Sequence, residues 1–307
     1  MQRVHFIAID GGAMYNLAIA LSKKQNFTVT VSDLEISEAA SVKLEQNKLM
    51  PEKLGWFPDR INKNLNSVVV GMNITCDNPE LQKAKELKLK IYSCPEFLFQ
   101  QTRSKTRIVV GGSNGRTATT AIIIFVLRKL KIDVDYMIRK QLDGFDSQVR
   151  LSYDSRIAIF EGDEYLTSPI DQRPKFHLYK PHIAVLTGIK WNSDNVYPTE
   201  ESYVEQFRKF AELMEMQGRL IYFKGDKNLN EIAQHLRRDI VPFAYNTPVH
   251  ETKNGITHLI TKYGEIPLKV SGEQNLQNVE AARLACRQIG VYDEQFYSVI
   301  TDFQGIT

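Results

Sequence analysis

Three short stretches of this sequence hold residue types and spacings that could do chemistry. The first is Gly111-Gly112-Ser113-Asn114-Gly115-Arg116-Thr117-Ala118-Thr119-Thr120. An apolar run over 106–110 leads into it, and a helix-like pattern follows over 116–131. Glycines between a strand and a helix let backbone N–H groups face phosphate oxygens. In the working form of such a loop a lysine comes next, and its compact ammonium reaches the outer phosphates. Here that place is taken by Arg116, which keeps the charge in a longer, planar group and is not an equivalent replacement. Thr117 would offer a hydroxyl to a divalent cation. The plainer alternative is a glycine-rich strand–helix turn with no ligand.

The second stretch is Glu161-Gly162-Asp163-Glu164, directly after the apolar run 156–160. Carboxylates at the end of a strand in an α/β sheet lie at its ligand-binding edge. Glu161 suits magnesium, which prefers oxygen ligands; the alternative is a solvated acidic turn. The third is Asp10-Gly11-Gly12-Ala13-Met14, after the apolar run 3–9. A glycine turn after a first strand brings a diphosphate to a helix N-terminus. Gly11 and Gly12 suit that role. Asp10 does not: facing a pyrophosphate, it would repel it by roughly 4 kcal/mol per unit charge at ~4 Å and an effective dielectric of about 20. The alternative is a tight turn with Asp10 as a helix cap. None of the six histidines falls at a loop where chemistry is expected, and no Cys-His or Ser-His-Asp arrangement follows from chain order.

The elements that must position these stretches alternate between strand and helix. Strands are expected over 3–9, 28–31, 67–70 and 90–93, with a helix over 80–89 opened by Asn78-Pro79. The pattern restarts near Lys105 with strands over 106–110, 156–160, 183–189 and 219–223. Helices are expected over 116–131, 200–214 and 275–289. The runs 257–260 and 266–270 read as a hairpin around Tyr263-Gly264. This βαβ order predicts an α/β fold with parallel sheets covered on both faces. The polar stretch 100–105 is the expected boundary between a first domain, 1–104, and a second, 105–307. No internal repeat or low-complexity tract is evident.

Composition narrows the function classes. The 307 residues are 43% hydrophobic and 24% charged, with a formal net charge of +3. That suits a folded protein of about two domains. The near-balanced charge and the absence of a dense Lys/Arg stripe argue against nucleic acid as partner. No apolar run is long enough for a membrane span and no signal peptide is evident. Cys76, Cys94 and Cys286 are scattered, without disulfide or zinc spacing, and are expected to be buried thiols in a reducing bacterial cytoplasm.

Taken together, the segments 5–21, 77–98, 111–120, 161–189, 195–207 and 272–278 resemble the Mur ligase family, in particular its murein peptide ligase branch. The block from Glu161 through the Ser168-Pro169-Ile170-Asp171 and Arg173-Pro174-Lys175-Phe176-His177-Leu178-Tyr179 runs is the most specific part. The resemblance implies a Rossmann-like first domain for the UDP of a UDP-N-acetylmuramate substrate. It implies a P-loop-type second domain for ATP and Mg²⁺. Its reaction is phosphorylation of the substrate carboxylate, then attack by the amine of a cell-wall tripeptide, L-Ala-γ-D-Glu-meso-diaminopimelate, giving an amide, ADP and phosphate. By the same resemblance, Gly112, Ser113, Asn114, Gly115, Arg116, Thr117, Thr119, Gln274, Asn275 and Asn278 would contact the nucleotide. Thr117 and Glu161 would hold the metal, and Arg116 and Glu161 would be catalytic. Gly11, Gly12, Ala13, Met14, Asp33, Asp171 and Arg173 would contact the muramyl substrate.

The sequence departs from the family at chemically important places. The family's first turn, G-I-G-G, is Ala8-Ile9-Asp10-Gly11, and its phosphate lysine is Arg116. Its Asp-His pair after Gly188-Ile189 gives way to Trp191-Asn192-Ser193, without an imidazole for the metal. Its G-x-H-N near the adenine is Gly272-Glu273-Gln274-Asn275. The family's third, C-terminal domain is expected to be absent from this chain. Each lost transition-state contact costs about 10²–10³ in rate, so the chain is expected to be catalytically impaired. Three functions stay open: a weakened ligase, a non-catalytic protein that still binds a UDP-sugar or another cell-wall enzyme, and a relic of a lost pathway.

Overall fold

The pairing of apolar runs sets the architecture. A computed structural model describes residues 1–306 except 142, 143, 146, 194 and 195. The first sheet holds β1 (Gln2–Ile7), β2 (Phe27–Ser32), β3 (Ser67–Val70) and β4 (Ile91–Ser93). Its order is β2-β1-β3-β4 and every pairing is parallel. Helices α1 (Gly12–Ser22), α2 (Glu38–Gln46), α3 (Pro79–Glu86) and α4 (Cys94–Gln101) belong to this part. Because β1 lies between β2 and β3, successive crossovers leave its end in opposite directions, which opens a crevice at the turn after β1.

The second sheet carries the chemistry-bearing loop. Its strands are β5 (Thr106–Gly111), β6 (Asp135–Met137), β7 (Val149–Arg150) and β8 (Ile157–Glu161). After a small hairpin of β9 (Leu166–Ser168) and β10 (Asp171–Pro174) come β11 (Ile183–Leu186), β12 (Arg219–Phe223) and β13 (Val241–Tyr245). The order is β13-β12-β11-β5-β8-β6-β7, parallel except for β7 against β6. Helix α5 (Arg116–Lys129) follows β5; α6 (Glu200–Glu212), α7 (Lys227–Gln234), α8 (Glu273–Gln288) and α9 (Asp293–Ile300) complete the layers. An antiparallel sheet of β14 (His250–Lys253), β15 (Ile256–Thr261) and β16 (Gly264–Leu268) precedes α8.

Side-chain alternation along the central strands divides the core into two faces. Ile108, Val110, Ile159, Val185 and Ile221 pack with Ile122, Ile123, Leu276, Ala282 and Phe296 from α5, α8 and α9. Val109, Phe160, Ala184 and Leu220 point the other way, toward Phe207, Phe210, Leu229 and Ile232 from α6 and α7. That second cluster continues into Phe6, Leu17, Ala18 and Val69, so one apolar core joins both parallel sheets. Burial on both faces is why these strands read as unbroken apolar runs.

Several expected boundaries shift for local reasons. The first strand ends at Ile7 because Ala8 takes φ +59°. The helix expected to 89 ends at Glu86, with Lys88 at φ +54°, and the one expected to 131 ends at Lys129, with Lys131 at φ +57°. The strand expected to 189 ends at Leu186, because the Thr187 N–H bonds back to the Gly111 carbonyl and Gly188 turns at φ +146°. The expected hairpin gains β14 as a third strand. Cys286 is buried as expected, but Cys76 is exposed and Cys94 half-buried. In the stretch 100–105, α4 runs to Gln101, and Thr102 and Lys105 are buried.

Ala8 carries a testable strain. A left-handed conformation costs a non-glycine residue about 1–2 kcal/mol, and Ala8 sits tightly enough that a Cβ on Gly71 would strike its carbonyl oxygen. Ala8→Gly is expected to raise stability by about 0.5–1 kcal/mol despite the added freedom of the unfolded chain. The urea midpoint measures it; a lower midpoint would reject the strain argument.

Candidate functional site

The glycine loop sits at the C-terminal end of β5, the switch point between β11 and β8. Two glycines give the loop its shape. Gly112 has φ +129°, and a Cβ there would lie 2.3 Å from Thr187 Oγ1. Gly115 has φ +81° and starts α5, and a Cβ there would lie 2.3 Å from Asn278 Oδ1. The loop is braced from below: the Ser113 N–H donates to the Gly188 carbonyl at 2.9 Å, and the Thr187 hydroxyl donates to the carbonyls of Asn114 and Gly111. Gln274 Nε2 donates to Asn278 Oδ1 at 3.2 Å, so both α8 residues come together beside Gly115. Asn275 turns away and donates to the Ser271 carbonyl. Thr119 is fully buried within α5 and is not at the loop surface.

The acidic turn reaches the same place through strand register. β5 and β8 pair with Val110 opposite Glu161, which sets Glu161 beside the start of α5. The Thr117 hydroxyl donates to Glu161 Oε1 at 2.7 Å, and the Arg139 N–H donates to Glu161 Oε2 at 2.9 Å. The Arg116 guanidinium pairs with Glu164 and also donates to the Gly162 carbonyl at 3.3 Å. Their side chains are only 11% and 7% exposed, so the pair is shielded from solvent. Asp163 pairs with Lys175 at 2.8 Å. Burial pushes the Asp163 carboxyl up, but Lys175, with help from Arg116, holds it below the usual range.

A cavity of about 700 Å³ opens between the two parallel sheets. Asp10, Gly11, Ala13, Met14 and Asp33 line it from the first, and Arg139, Glu161, Asp163 and Lys175 from the second. Asp10 does not cap α1, whose N-cap is Gly11. Its carboxylate accepts hydrogen bonds from the Ser37 hydroxyl at 2.7 Å and the Ser37 N–H at 3.2 Å, while its own N–H donates to Asp33 Oδ2. Burial raises the Asp33 carboxyl above its ordinary value. Gly12 lies against Gln148, where a Cβ would come within 2.7 Å of the side-chain oxygen.

Asp171 and Arg173 are not among the residues lining this cavity. Arg173 pairs with Asp171 at 2.7 Å and with Glu96 of α4, strapping the β9–β10 hairpin to the first part of the chain. Ser193 is exposed, and Trp191 donates its indole N–H to the Tyr197 carbonyl at 2.9 Å. Sequence reading assigned no role to Glu164, Lys175, Arg139 or Tyr203. Glu164 and Lys175 lie inside the acidic stretch and the run 173–179, but their partners depend on three-dimensional register. Arg139 follows β6, a strand too short to be read from pattern.

The groups implied by the resemblance fit unequally. The glycine loop and the adjacent Thr117 and Glu161 oxygens suit polyphosphate and a hard divalent cation. Among the described residues no cluster of three or more His, Cys, Asp or Glu could hold a metal on its own. Arg116, which the resemblance would set at the terminal phosphate, is paired with Glu164.

Comparison with known proteins places this geometry. A family model described as the Mur ligase middle domain matches residues 110–286. The UDP-N-acetylmuramate–L-alanine ligases of Desulforamulus reducens and Carboxydothermus hydrogenoformans are 26% and 28% identical to this chain. Each match covers 99% of this chain and 66% of the relative, so the chain spans about two thirds of their length. Among solved structures, the UDP-N-acetylmuramate:L-alanyl-γ-D-glutamyl-meso-diaminopimelate ligase of Neisseria meningitides superposes with a TM-score of 0.86 at 19% identity, covering 100% of this chain and 99% of that one. A murein peptide ligase of Psychrobacter arcticus gives 0.83 at 22% identity, covering 100% and 69%. Those structures share the fold. Among the described residues no helix is long and apolar enough to cross a membrane. The family match spans more than half of the sequence and contains the glycine loop, the acidic turn and the start of α8, so the chain belongs to the Mur ligase family.

Proposed function

We propose that this protein binds a nucleotide-sugar of the UDP-N-acetylmuramate class and supports ATP-dependent amide formation weakly or not at all. In this reading 1–104 forms the nucleotide-sugar domain and 105–307 the ATP-type domain, and the protein works in the bacterial cytoplasm. The observation that carries it is the commitment of Arg116 to Glu164 inside a shielded pair. In the family reaction, ATP with Mg²⁺ would activate the substrate carboxylate for attack by the amine of a cell-wall tripeptide. Thr117 and Glu161 would hold the metal, and the backbone of 112–117 would orient the phosphates. Arg116 would have to leave Glu164 to balance the charge of the last phosphate. Every ~1.4 kcal/mol spent on that release lowers apparent affinity about tenfold. The cavity itself is intact and large enough for a nucleotide-sugar: ligand pockets run from about 300 to 1,000 Å³. Asp10 is turned toward Ser37, which removes part of the repulsion expected from the sequence.

Calorimetric titration with UDP-N-acetylmuramate and, separately, Mg-ATP tests this proposal. The expected result is measurable binding of the nucleotide-sugar, weaker binding of Mg-ATP and no amide product when tripeptide is added. Sustained amide synthesis by the isolated chain would overturn the impairment. Failure of the nucleotide-sugar to bind would overturn the binding role and leave the protein a relic.

A further inference from the structure

We infer that Glu164 is an internal counter-ion that competes with polyphosphate for Arg116, and that Tyr203 is the positioning residue that holds it there. This rests on the proposed reading of 112–117 as a phosphate loop and adds to it a residue-level control of that loop.

A directional hydrogen-bond chain ties Glu164 to the loop. The Lys190 N–H donates to Ser113 Oγ at 2.7 Å. Ser113 Oγ lies 3.0 Å from Tyr203 Oη, and Tyr203 Oη lies 3.1 Å from Glu164 Oε1. The carboxylate can only accept, so the tyrosine spends its one proton on Glu164. Ser113 must then donate to Tyr203, and its lone pair takes the Lys190 amide. Each link therefore has one donor, and all run toward Glu164.

The other carboxylate oxygen is on Arg116, and the Glu164 carbonyl accepts the Tyr197 hydroxyl at 2.7 Å. Tyr203 is 1% exposed and packs edge-on against Phe207 with ring centres 5.1 Å apart, so α6 fixes its position. Glu164 is thus hydrogen-bonded at its backbone carbonyl and at Oε1, while Oε2 faces Arg116 as an ion pair with no hydrogen bond of its own. The neighbouring charges do not release it: Asp163 is already paired with Lys175. An incoming phosphate offers Arg116 the same kind of partner, a planar match to anionic oxygens, and must outcompete a carboxylate that is already in place.

The test uses inorganic tripolyphosphate as probe. Glu164→Gln is expected to bind it at least about tenfold more tightly than the parent, because the internal competitor is gone. Tyr203→Phe, which removes the donor but keeps the ring, is expected to give a smaller gain in the same direction. Both gains should vanish when Arg116→Ala is added, since only the freed guanidinium produces them. If Glu164→Gln melts too low for titration, Tyr203→Phe carries the measurement. Equal affinity in the parent and the folded variants overturns the inference, as does a gain that survives without Arg116. A parent protein that ligates with Mg-ATP would refute the impairment alone; the cycle with Arg116→Ala would still decide the role of Glu164.

Discussion

Replacing Arg107 with methionine is expected to lower stability by about 3–5 kcal/mol, the range seen when one member of a buried charged network is removed. Arg107 is 1% exposed, among the largest fully buried side chains of the described residues. Its Nε donates to the carbonyls of Tyr179 and Lys180 at 2.9 and 3.1 Å. One terminal nitrogen donates to the carbonyls of Thr102, Arg103 and Lys105 at 3.1–3.2 Å, and the other pairs with Glu215. Methionine fills most of the volume but leaves those carbonyls without a donor in a buried place. Arg107→Lys restores a charge but not the planar fork, so it is expected to recover only part of the loss. Urea unfolding of the three proteins at pH 7 measures this. A methionine variant within about 1 kcal/mol of the parent would mean that water supplies the missing donors.

The position of Arg107 explains why the polar segment 100–105, expected as the domain boundary, is held tightly. Its polar residues are real, but five of the guanidinium contacts gather its carbonyls and those of 179–180 around one side chain. No local pattern announces that. Strands β3 and β12, by contrast, coincide with their apolar runs, because a strand buried on both faces leaves an unbroken signature. The missed strands lie at or next to a sheet edge. β13 contains Pro242, β14 is wholly exposed, and β6 begins at Asp135, a buried carboxylate paired with Lys105. Helix α4 did carry a readable sign: Ser93 and Glu96 form a capping box ahead of its apolar face.

The candidate site divides in the same way. Glycines 112 and 115 were legible because their role is local: the backbone needs positive φ there. The partners of the loop were not. Thr117 and Glu161 meet across 44 residues, and Tyr203 and Glu164 across 39, through the pairing of β5 with β8 and the packing of α6. Asp171 and Arg173 rest on the family resemblance alone; in the structure Arg173 pairs with Asp171 and with Glu96, and neither lines the cavity.

Loss of the Glu80 carboxylate is expected to match the Arg107 effect and to carry a pH signature as well. Glu80, in the first turn of α3, is fully buried against β1 and β2. Its Oε1 accepts the Phe57 N–H at 2.7 Å, and its Oε2 meets the Ser32 hydroxyl and His5 Nε2, the latter at 3.3 Å. His5 Nδ1 continues the network to the Thr30 hydroxyl at 2.7 Å. Burial pushes this carboxyl up, yet the bonds from His5, Ser32 and Phe57 outweigh it and leave the value below its ordinary 4.5. A depressed folded-state value means that the charged form is favoured by folding, so the contribution is present above 4.5 and is lost as pH falls through the lower folded value. Glu80→Ala is therefore expected to cost about 3–5 kcal/mol at pH 7, with the gap to the parent shrinking below pH ~4.5. Glu80→Gln keeps an acceptor for Phe57 and should lose less. Chemical unfolding of the parent and both variants between pH 7 and pH 3.5 decides the matter. A gap that stays constant across that range would mean the carboxylate acts through shape and not through charge. The network also ties the strand that leads through Ala8 toward the cavity to its neighbours, as Arg107 ties the strand that ends at the glycine loop. Each parallel sheet thus has a buried charged network on the strand that leads to a candidate turn: His5 of β1 bonds to Glu80 of α3, and Arg107 lies on β5 itself.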